Sequence, residues 1–329
     1  MQARRRDTLT FAAAGLGLAA AAHPARAAGF PDRPVRVIVP YGAGANSDVQ
    51  ARLITARMSE RLGQPFVVEN RAGAGGSIGA DAVAKSRPDG YTLLVGSNGP
   101  LAVNPAVQAR MPYDATKDFA PISLLSRTSH TIAVRADSPF RTLADLLAAA
   151  KADPGKIAMG SSGNASATHF TIEMLMAATG ARVTHVPYRA SSQNVADLLA
   201  GNVPTSMAEI STVLPTWRSG QTRVLAIAAA QRSALMPDVP TLRESGIDVV
   251  GASWIGLLAP AGTPREVIAA LSDAVVAALS EAALRERLRE LGTDLAAEAE
   301  MRPEGFAQFI REEQARTRRV AQQANIRVE

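Results

Sequence analysis

Short apolar and β-branched runs alternate along the chain with stretches that carry apolar side chains at helical spacing. Residues 35–40, 91–96 and 122–136 are of the first kind and predict strands. Apolar side chains at helical spacing predict a helix near 265–279, with one apolar face made of Val267, Ile268, Leu271, Val275 and Leu279. Such alternation predicts an α/β fold with parallel sheets and helices on both faces. In these folds the ligand lies beyond the carboxyl ends of the strands.

Two helix starts are recognisable by their capping residues. Thr142 followed by Asp145 predicts a capped helix that ends before Asp153. Thr263 followed by Glu266 predicts a second capping box, with proline at the first helical position. A further helix is expected from about Pro303.

Four loops rich in glycine, serine and asparagine follow predicted strands and precede predicted helices, at 41–48, 97–100, 160–169 and 188–194. The first three contain no lysine or arginine. A helix N-terminus offers unpaired N–H groups and a partial positive charge, which suits an anion. Ordinary capping, by Ser166 for example, explains any one loop equally well, so an anion site requires that the loops converge. The candidate ligand-binding residues of these loops are Tyr41, Gly42, Gly44, Ala45, Asn46, Ser97, Asn98, Ser161, Ser162, Ser166, Thr168 and Tyr188.

Several other chemistries lack their sequence motifs. The loops contain neither Gly-Lys-Ser/Thr nor Gly-x-Gly-x-x-Gly, which argues against nucleotide and dinucleotide sites. The spacing of His, Asp and Glu predicts no metal site, and no cofactor is expected. A hydrolase that uses Ser161 or Ser162 with His169 is an alternative, but the run GSSG is one residue short of a nucleophile elbow.

The first 27 residues have the pattern of an export signal. A basic segment with Arg4, Arg5 and Arg6 precedes the short apolar run 11–22, and an Ala-x-Ala pattern ends at Ala27. Cleavage is expected after Ala27, by the general or the twin-arginine route, with the mature chain in the periplasm. Removal of this segment lowers the formal net charge from +5 to about +2, which with 4% aromatic residues argues against nucleic-acid binding. The chain has no cysteine, so neither a lipid anchor at a cysteine nor a disulfide is expected.

Three segments occurring together and in order resemble those of one family: VVENRAGAGGSIGA (67–80), PDGYTLL (88–94) and APAGTP (259–264). They resemble the Bug-type extracytoplasmic solute receptors, which are the substrate-binding proteins of tripartite tricarboxylate transporters. The resemblance implies a type II periplasmic-binding-protein fold, in which two doubly wound α/β lobes are joined by two crossover strands. It implies that lobe one comprises residues 28–127 plus 230–329, and lobe two residues 128–229.

The same resemblance implies a function. The receptor captures a small carboxylate between its lobes, holds it with main-chain N–H groups, hydroxyls and water, and delivers it to an integral-membrane permease. It implies a protein that is no enzyme, and a monomer is expected. A periplasmic sensor that presents the bound ligand to a membrane kinase is the alternative function.

Three positions depart from the family pattern. The first loop reads Tyr41-Gly-Ala-Gly-Ala-Asn46 where the family has consecutive prolines and glycines, and Tyr188-Arg-Ala190 replaces Tyr-Lys-Gly. Met207-Ala-Glu209 stands where the family has Phe-Asp-Asn. A carboxylate beside an anion site is unfavourable. Glu209 is therefore exposed, paired with Arg189, or matched to a cationic group on the ligand, and in the last case the ligand carries an amine. Glu209 is the final candidate ligand-binding residue.

Overall fold

The computed structural model describes residues 29–327, so the export signal predicted for residues 1–27 lies outside the described part of the chain. The strands are β1 (Val35–Val39), β2 (Phe66–Asn70), β3 (Thr92–Ser97), β4 (Phe119–Arg135), β5 (Ala158–Ser161), β6 (Thr184–Pro187), β7 (Thr205–Glu209), β8 (Thr222–Ile227), β9 (Ala252–Pro260) and β10 (Asp294–Leu295). The helices are α1 (Asn46–Leu62), α2 (Ser77–Ala84), α3 (Asn104–Val107), α4 (Leu143–Ala152), α5 (Ala167–Thr179), α6 (Ser191–Ala200), α7 (Ile210–Arg218), α8 (Arg265–Ser280), α9 (Ala282–Glu290) and α10 (Pro303–Gln323). A π-helical turn at Gly99–Val103 leads into α3.

The long strand β4 joins two groups of strands. On one side the order is β2-β1-β3-β9-β4, and on the other it is β4-β7-β5-β6, while β8 and β10 also pair with β4. β1 is parallel to β2 and β3, and β5 is parallel to β6 and β7. β9 is antiparallel to both β3 and β4, and β7 is antiparallel to β4. The α/β fold predicted from the alternation of strands and helices is therefore confirmed.

Separate apolar cores flank the middle of β4. Core one draws its buried side chains from residues 35–125 and 254–310. Two adjoining clusters, together called core two, draw theirs from residues 132–249. Met236, Leu242 and Val249 belong to core two, whereas the sequence-based division placed residues 230–329 in lobe one. The division into lobes stays a prediction, and this packing favours a second boundary at the start of β9.

A small apolar cluster connects the two halves of the structure. Phe170 of α5 packs with Val103, Val107, Ala321 and Ile326, which come from the π-helical turn, α3, α10 and the segment after it. Phe170 is only 6% exposed. We call these five residues the bridging cluster. It fixes the first turn of α5 against elements that pack on core one.

One of the two predicted capping boxes is confirmed and the other is wrong. The Thr142 hydroxyl accepts a hydrogen bond from the Asp145 N–H, and the Asp145 carboxylate accepts one from the Thr142 N–H, so α4 is capped as expected. Thr263 instead donates to the carbonyl of Pro260 at 2.8 Å, and Pro264 is the N-cap of α8. Within residues 29–327, no single helix combines the length and apolarity needed to cross a membrane, although the bent pair α8 and α9 does so by length and composition.

Candidate functional site

The carboxyl ends of the parallel strands approach each other along the middle of β4. Ser97 ends β3 opposite Ile255 of β9, and Ile255 pairs on its other side with Ser126 of β4. Glu209 ends β7 opposite His130 of β4. Because β3 runs in the same direction as β4 and β7 in the opposite one, these ends point toward each other. Four residues of strand separate them along β4, which is about 13 Å. The Gly- and Ser-rich loops after β1 and β5 follow the parallel neighbours of β3 and β7, so each leaves its half of the sheet beside one of these two ends.

The loop between β1 and α1 is held by its own backbone. Gly44 has a φ of 78°, in the left-handed region that favours glycine, and its N–H donates to Asp48 Oδ2 at 2.9 Å. The N–H of Ala45 donates to the carbonyl of Gly42 at 3.2 Å. These two N–H groups are thus used within the loop. Asp48 stabilises the loop from inside the first turn of α1 and is itself buried.

The side chain of Asn46 ties α1 to β4. Its Nδ2 donates to Thr128 Oγ1 at 3.1 Å, and its Oδ1 accepts from Gln50 Nε2 at 3.0 Å. Both polar atoms of this side chain are therefore engaged inside the protein. In the part of the chain that the structure describes, the main-chain N–H groups of Asn46 and Ser47 have no hydrogen-bond acceptor, as expected in a first helical turn.

Two candidates at the end of β3 have different surroundings. The hydroxyls of Tyr41 and Ser97 lie 2.8 Å apart, and burial raises the pKa of Tyr41 in spite of this hydrogen bond. Asn98 has both polar side-chain atoms bound to β9, where it donates to the Ala252 carbonyl and accepts from the Trp254 N–H. Tyr41 and Ser97 thus form a hydroxyl pair beside the first loop, while Asn98 fastens β3 to β9.

The hydroxyls of the loop before α5 form a cluster centred on Thr168. Thr168 Oγ1 accepts from the Ser162 N–H at 2.9 Å and lies 2.8 Å from Ser162 Oγ and 2.9 Å from Ser166 Oγ. Thr168 is fully buried, whereas Ser162 and Ser166 are half-buried. Ser166 is also the N-cap of α5, since its Oγ accepts from the His169 N–H. The cap is therefore confirmed, and a contact between Ser166 and the ligand stays a prediction.

Two stacked histidine rings, those of His169 and His185, lie beside this loop, which His185 contacts at Ser161. Ser161 is fully buried and its Oγ lies 2.6 Å from His185 Nε2. The ring of His185 stacks on that of His169 with 3.8 Å between centroids. Burial, together with the neighbouring His169, lowers the pKa of His185 to about 4. Tyr188 packs against core two, and burial raises the pKa of its phenol, with Asp197 adding to the shift.

Glu209 lies where β7, α6 and β9 meet. Its carboxylate accepts hydrogen bonds from Ser191 Oγ and, at 2.9 Å, from Ser253 Oγ. Its negative charge contributes, after burial, to the raised pKa of Tyr41, so it lies within electrostatic reach of the first loop. Of the three environments weighed for Glu209, pairing with Arg189 is not observed: the hydrogen-bond partners of this half-buried carboxylate in the described chain are serines.

Beneath Glu209 lies a buried histidine that the sequence reasoning left unassigned. His130 Nδ1 lies 2.8 Å from Thr171 Oγ1, and its Nε2 lies 3.1 Å from Ser253 Oγ. The ring is fully buried, which lowers the pKa of His130 to about 4. Ser253 therefore links His130 to Glu209. Among the described residues, no group of three His, Asp or Glu side chains is arranged to hold a metal ion.

Comparison with known proteins identifies the family. The model of the tripartite tricarboxylate transporter family receptor matches residues 50–326. The chain belongs to this receptor family. The family consists of solute receptors, so the expectation that the chain is no enzyme is confirmed and the hydrolase alternative is wrong.

Relatives of this receptor support the assignment over nearly its whole length. Protein BugT of Bordetella pertussis is 37% identical over 289 residues, which are 87% of this chain and 89% of BugT. The solved structure of MatC from Rhodopseudomonas palustris with bound malate is 34% identical, with a TM-score of 0.78, and covers 88% of this chain and 99% of MatC. Rpa4515 of R. palustris, solved with adipate, is 34% identical with a TM-score of 0.82, and covers 91% and 99%. The periplasmic binding protein BugD, also solved, is 30% identical with a TM-score of 0.79, so the Bug-type resemblance and the periplasmic-binding-protein fold are confirmed.

The receptor fold brings together part of the predicted site and adds residues to it. Tyr41, Ser162, Ser166 and Glu209 are half-buried, whereas Ser97, Asn98, Ser161 and Thr168 are buried and hydrogen-bonded within the protein. Ser191, Ser253, His130 and Thr171 were not among the predicted ligand residues. Their contacts span 18 to 123 positions of sequence, so no local pattern reveals them.

Proposed function

We propose that this receptor works in the periplasm, captures a small carboxylate between the two halves of its structure, and delivers it to an integral-membrane permease of a tripartite tricarboxylate transporter. Family membership supports the permease as partner. The malate in MatC and the adipate in Rpa4515 support a carboxylate as the ligand class. The chain acts without a cofactor in this proposal.

The observation that carries the proposal is the pair of helix N-termini at the converging strand ends. The N–H groups of Asn46 and Ser47 in α1 have no acceptor in the described chain, and neither do those of Ala167 and Thr168 in α5. Both helices are longer than three turns, so each carries a partial positive charge at this end. A carboxylate has two oxygens that accept such hydrogen bonds. Each helix can therefore hold one carboxylate oxygen.

The neighbouring hydroxyls supply further donors. Tyr41 and Ser97 share one hydrogen bond, which uses one of their two hydroxyl protons and leaves the other free. Thr168 makes one contact with Ser162 and one with Ser166, so the three hydroxyls use two protons between them. The third proton remains with Ser162 or Ser166, both of which are half-buried. We assign two hydroxyl donors to the ligand carboxylate. One is the unused hydroxyl of the Tyr41–Ser97 pair, and the other is that of Ser162 or Ser166.

The sharpest test removes one main-chain donor and nothing else. Ala167 is the first residue of α5 and follows a residue with φ −84° and ψ 165°, a conformation that proline tolerates after it. Ala167→Pro therefore deletes an N–H group while leaving the helix intact. Ala282→Pro is the matched control, since Ala282 is the exposed first residue of α9 and follows an extended residue.

Binding is measured by isothermal titration calorimetry of residues 28–329 against mono-, di- and tricarboxylates. Losing one hydrogen bond to a charged group costs about 1.5–3 kcal/mol, so Ala167→Pro should raise Kd by about tenfold or more. Ala282→Pro should leave Kd unchanged. Unchanged affinity in Ala167→Pro, or no binding of any carboxylate by the unaltered protein, contradicts the proposal. Delivery is tested by uptake of the identified ligand in cells that lack this chain.

A further inference from the structure

The surroundings of Glu209 differ chemically from those of the two helix N-termini. The helix ends present N–H donors, which suit an anion, whereas Glu209 brings a carboxylate to the end of β7. In the part of the chain that the structure describes, the hydrogen-bond partners of this carboxylate are the hydroxyls of Ser191 and Ser253, not the nitrogens of arginine or lysine. A negative group without a basic partner thus stands at the edge of an otherwise anion-binding site.

The protons around Glu209 can be assigned one by one. Ser191 and Ser253 have one hydroxyl proton each, and both donate it to the carboxylate. Ser253 must then accept in its 3.1 Å contact with His130, so the proton of that ring is on Nε2. The other nitrogen, Nδ1, accepts from Thr171 at 2.8 Å, in preference to the longer 3.1 Å contact between Thr171 and a backbone carbonyl.

This order leaves only acceptors on the two serines beside Glu209. In the series of hydrogen bonds that runs from Thr171 through His130 and Ser253 to Glu209, each hydroxyl proton points toward the carboxylate. Ser191 and Ser253 therefore have only lone pairs to offer a ligand, and the two Glu209 oxygens have lone pairs beyond those used by the serines. An ammonium group has three N–H donors and a positive charge, which match the lone pairs of the two serine hydroxyls and the negative charge of the carboxylate. A second carboxylate would meet repulsion here.

We propose that Glu209 selects ligands that carry a protonated amine in addition to the carboxylate, with the ammonium bound by Glu209, Ser191 and Ser253. This inference rests on the carboxylate-binding function proposed above and narrows its ligand class to amino acids or related amino carboxylates. Glu209 is the specificity-determining residue, and His130 and Thr171 are positioning residues that fix the direction of the Ser253 hydroxyl.

The test compares ligands that differ only at one substituent. Succinate, malate and aspartate carry hydrogen, hydroxyl and ammonium at the same carbon, and glutarate with glutamate and adipate with 2-aminoadipate extend the comparison to longer chains. Dissociation constants are measured by calorimetry for the unaltered protein, for Glu209→Gln, and for Glu312→Gln. Glu312→Gln makes the same charge change on the exposed face of α10, where Glu312 accepts from Gln308.

In at least one pair the amino ligand should bind the unaltered protein about tenfold or more tightly than its partner without nitrogen. Glu209→Gln should remove that preference and strengthen binding of the partner, while Glu312→Gln should keep the preference. Equal affinity within every pair, or a preference that survives in Glu209→Gln, overturns the inference even when carboxylates bind. If no ligand of either kind binds, the proposed carboxylate function fails as well. The comparison on the unaltered protein needs no variant and stands whatever the stability of Glu209→Gln.

Discussion

Acidification from pH 7 to pH 5 should weaken the fold in part through His130, beside a contribution of the same sign from His185, whose pKa is also lowered to about 4. The His130 ring is fully buried in β4, between Thr171 and Ser253. Burial lowers its pKa to about 4, against the opposing effect of the Glu209 charge and with a smaller contribution from Arg316. Protonation would place a second ring proton opposite Thr171 and a positive charge in an apolar interior. The folded state therefore keeps His130 neutral at pH values where the unfolded chain does not.

The direction and size of the His130 effect on the free energy of unfolding follow from its pKa in the unfolded and in the folded state. A histidine in the unfolded chain has a pKa of about 6.5, and that of folded His130 is about 4. Between these values the unfolded chain binds the additional proton, so the contribution to stability is complete above about pH 6.5 and falls as the pH drops toward 4. At pH 5 the folded ring is still neutral while the unfolded one is mostly protonated. The loss in free energy of unfolding relative to pH 7 is then about 2 kcal/mol.

Urea unfolding of the ligand-free protein at pH 7 and pH 5 measures this loss. The variant His130→Asn lacks the titrating ring and retains the described histidines His169 and His185, so the difference between the two proteins isolates His130. We expect the pH-dependent loss to be smaller in His130→Asn by about 2 kcal/mol, whatever its absolute stability. An unchanged pH dependence in the variant refutes the reasoning. The reasoning is also refuted if NMR of the ring protons gives His130 a pKa near 6.5.

Three further substitutions test the packing and capping around this framework. Thr142→Ala removes the cap of α4 and should lower the free energy of unfolding by about 1 kcal/mol in urea denaturation, with Thr263→Ala, which caps no helix, as its comparison. Phe170→Ala empties the bridging cluster and should cost about 3 kcal/mol, with a lower melting temperature in calorimetry; a shift below 2 °C would contradict that role. Gly256→Ala would place its Cβ 2.2 Å from the Phe306 ring. We expect the free energy of unfolding to fall by about 1–3 kcal/mol in urea denaturation. Unchanged stability would show that the ring can move aside.

Much of the secondary structure was predictable because its causes are local. The extended character of residues 122–136 is realised in β4, and the apolar spacing at 265–279 in α8. Thr142 and Asp145 lie three residues apart, so the capping box that they form depends on nothing else in the fold. The same spacing at Thr263 and Glu266 failed because α8 begins one residue later, with Pro264 as its N-cap, so Thr263 lies outside the helix and its hydroxyl donates to the carbonyl of Pro260. A capping pattern thus predicts a helix start better than it predicts the cap itself.

The site was harder to predict because each side chain has two possible uses. The loop before α5 was correctly recognised as a strand-to-helix turn, but periodicity could not show that Thr168 faces inward while Ser162 and Ser166 remain half-buried. Asn98 is a predicted ligand residue, yet both polar atoms of its side chain bind β9, more than 150 residues away, a contact that no local pattern shows. The sequence pattern located the strand ends, and only the tertiary hydrogen bonds divided their side chains between structure and surface.

In the proposed function, the polar residues of β4 connect the two halves that would hold one ligand. A buried hydroxyl or imidazole costs free energy unless it is hydrogen-bonded, and this strand carries several in its middle. Ser126 donates to Gln50 of α1, Thr128 accepts from Asn46 of α1, and His130 contacts Thr171 of α5. The two helices whose N-termini we assign to the ligand are therefore both fastened, by side-chain hydrogen bonds, to three residues within one five-residue segment of β4. These hydrogen bonds account for polar side chains where an ordinary buried strand would be apolar, and a ligand bound as we propose, by both helix ends, would act across that segment.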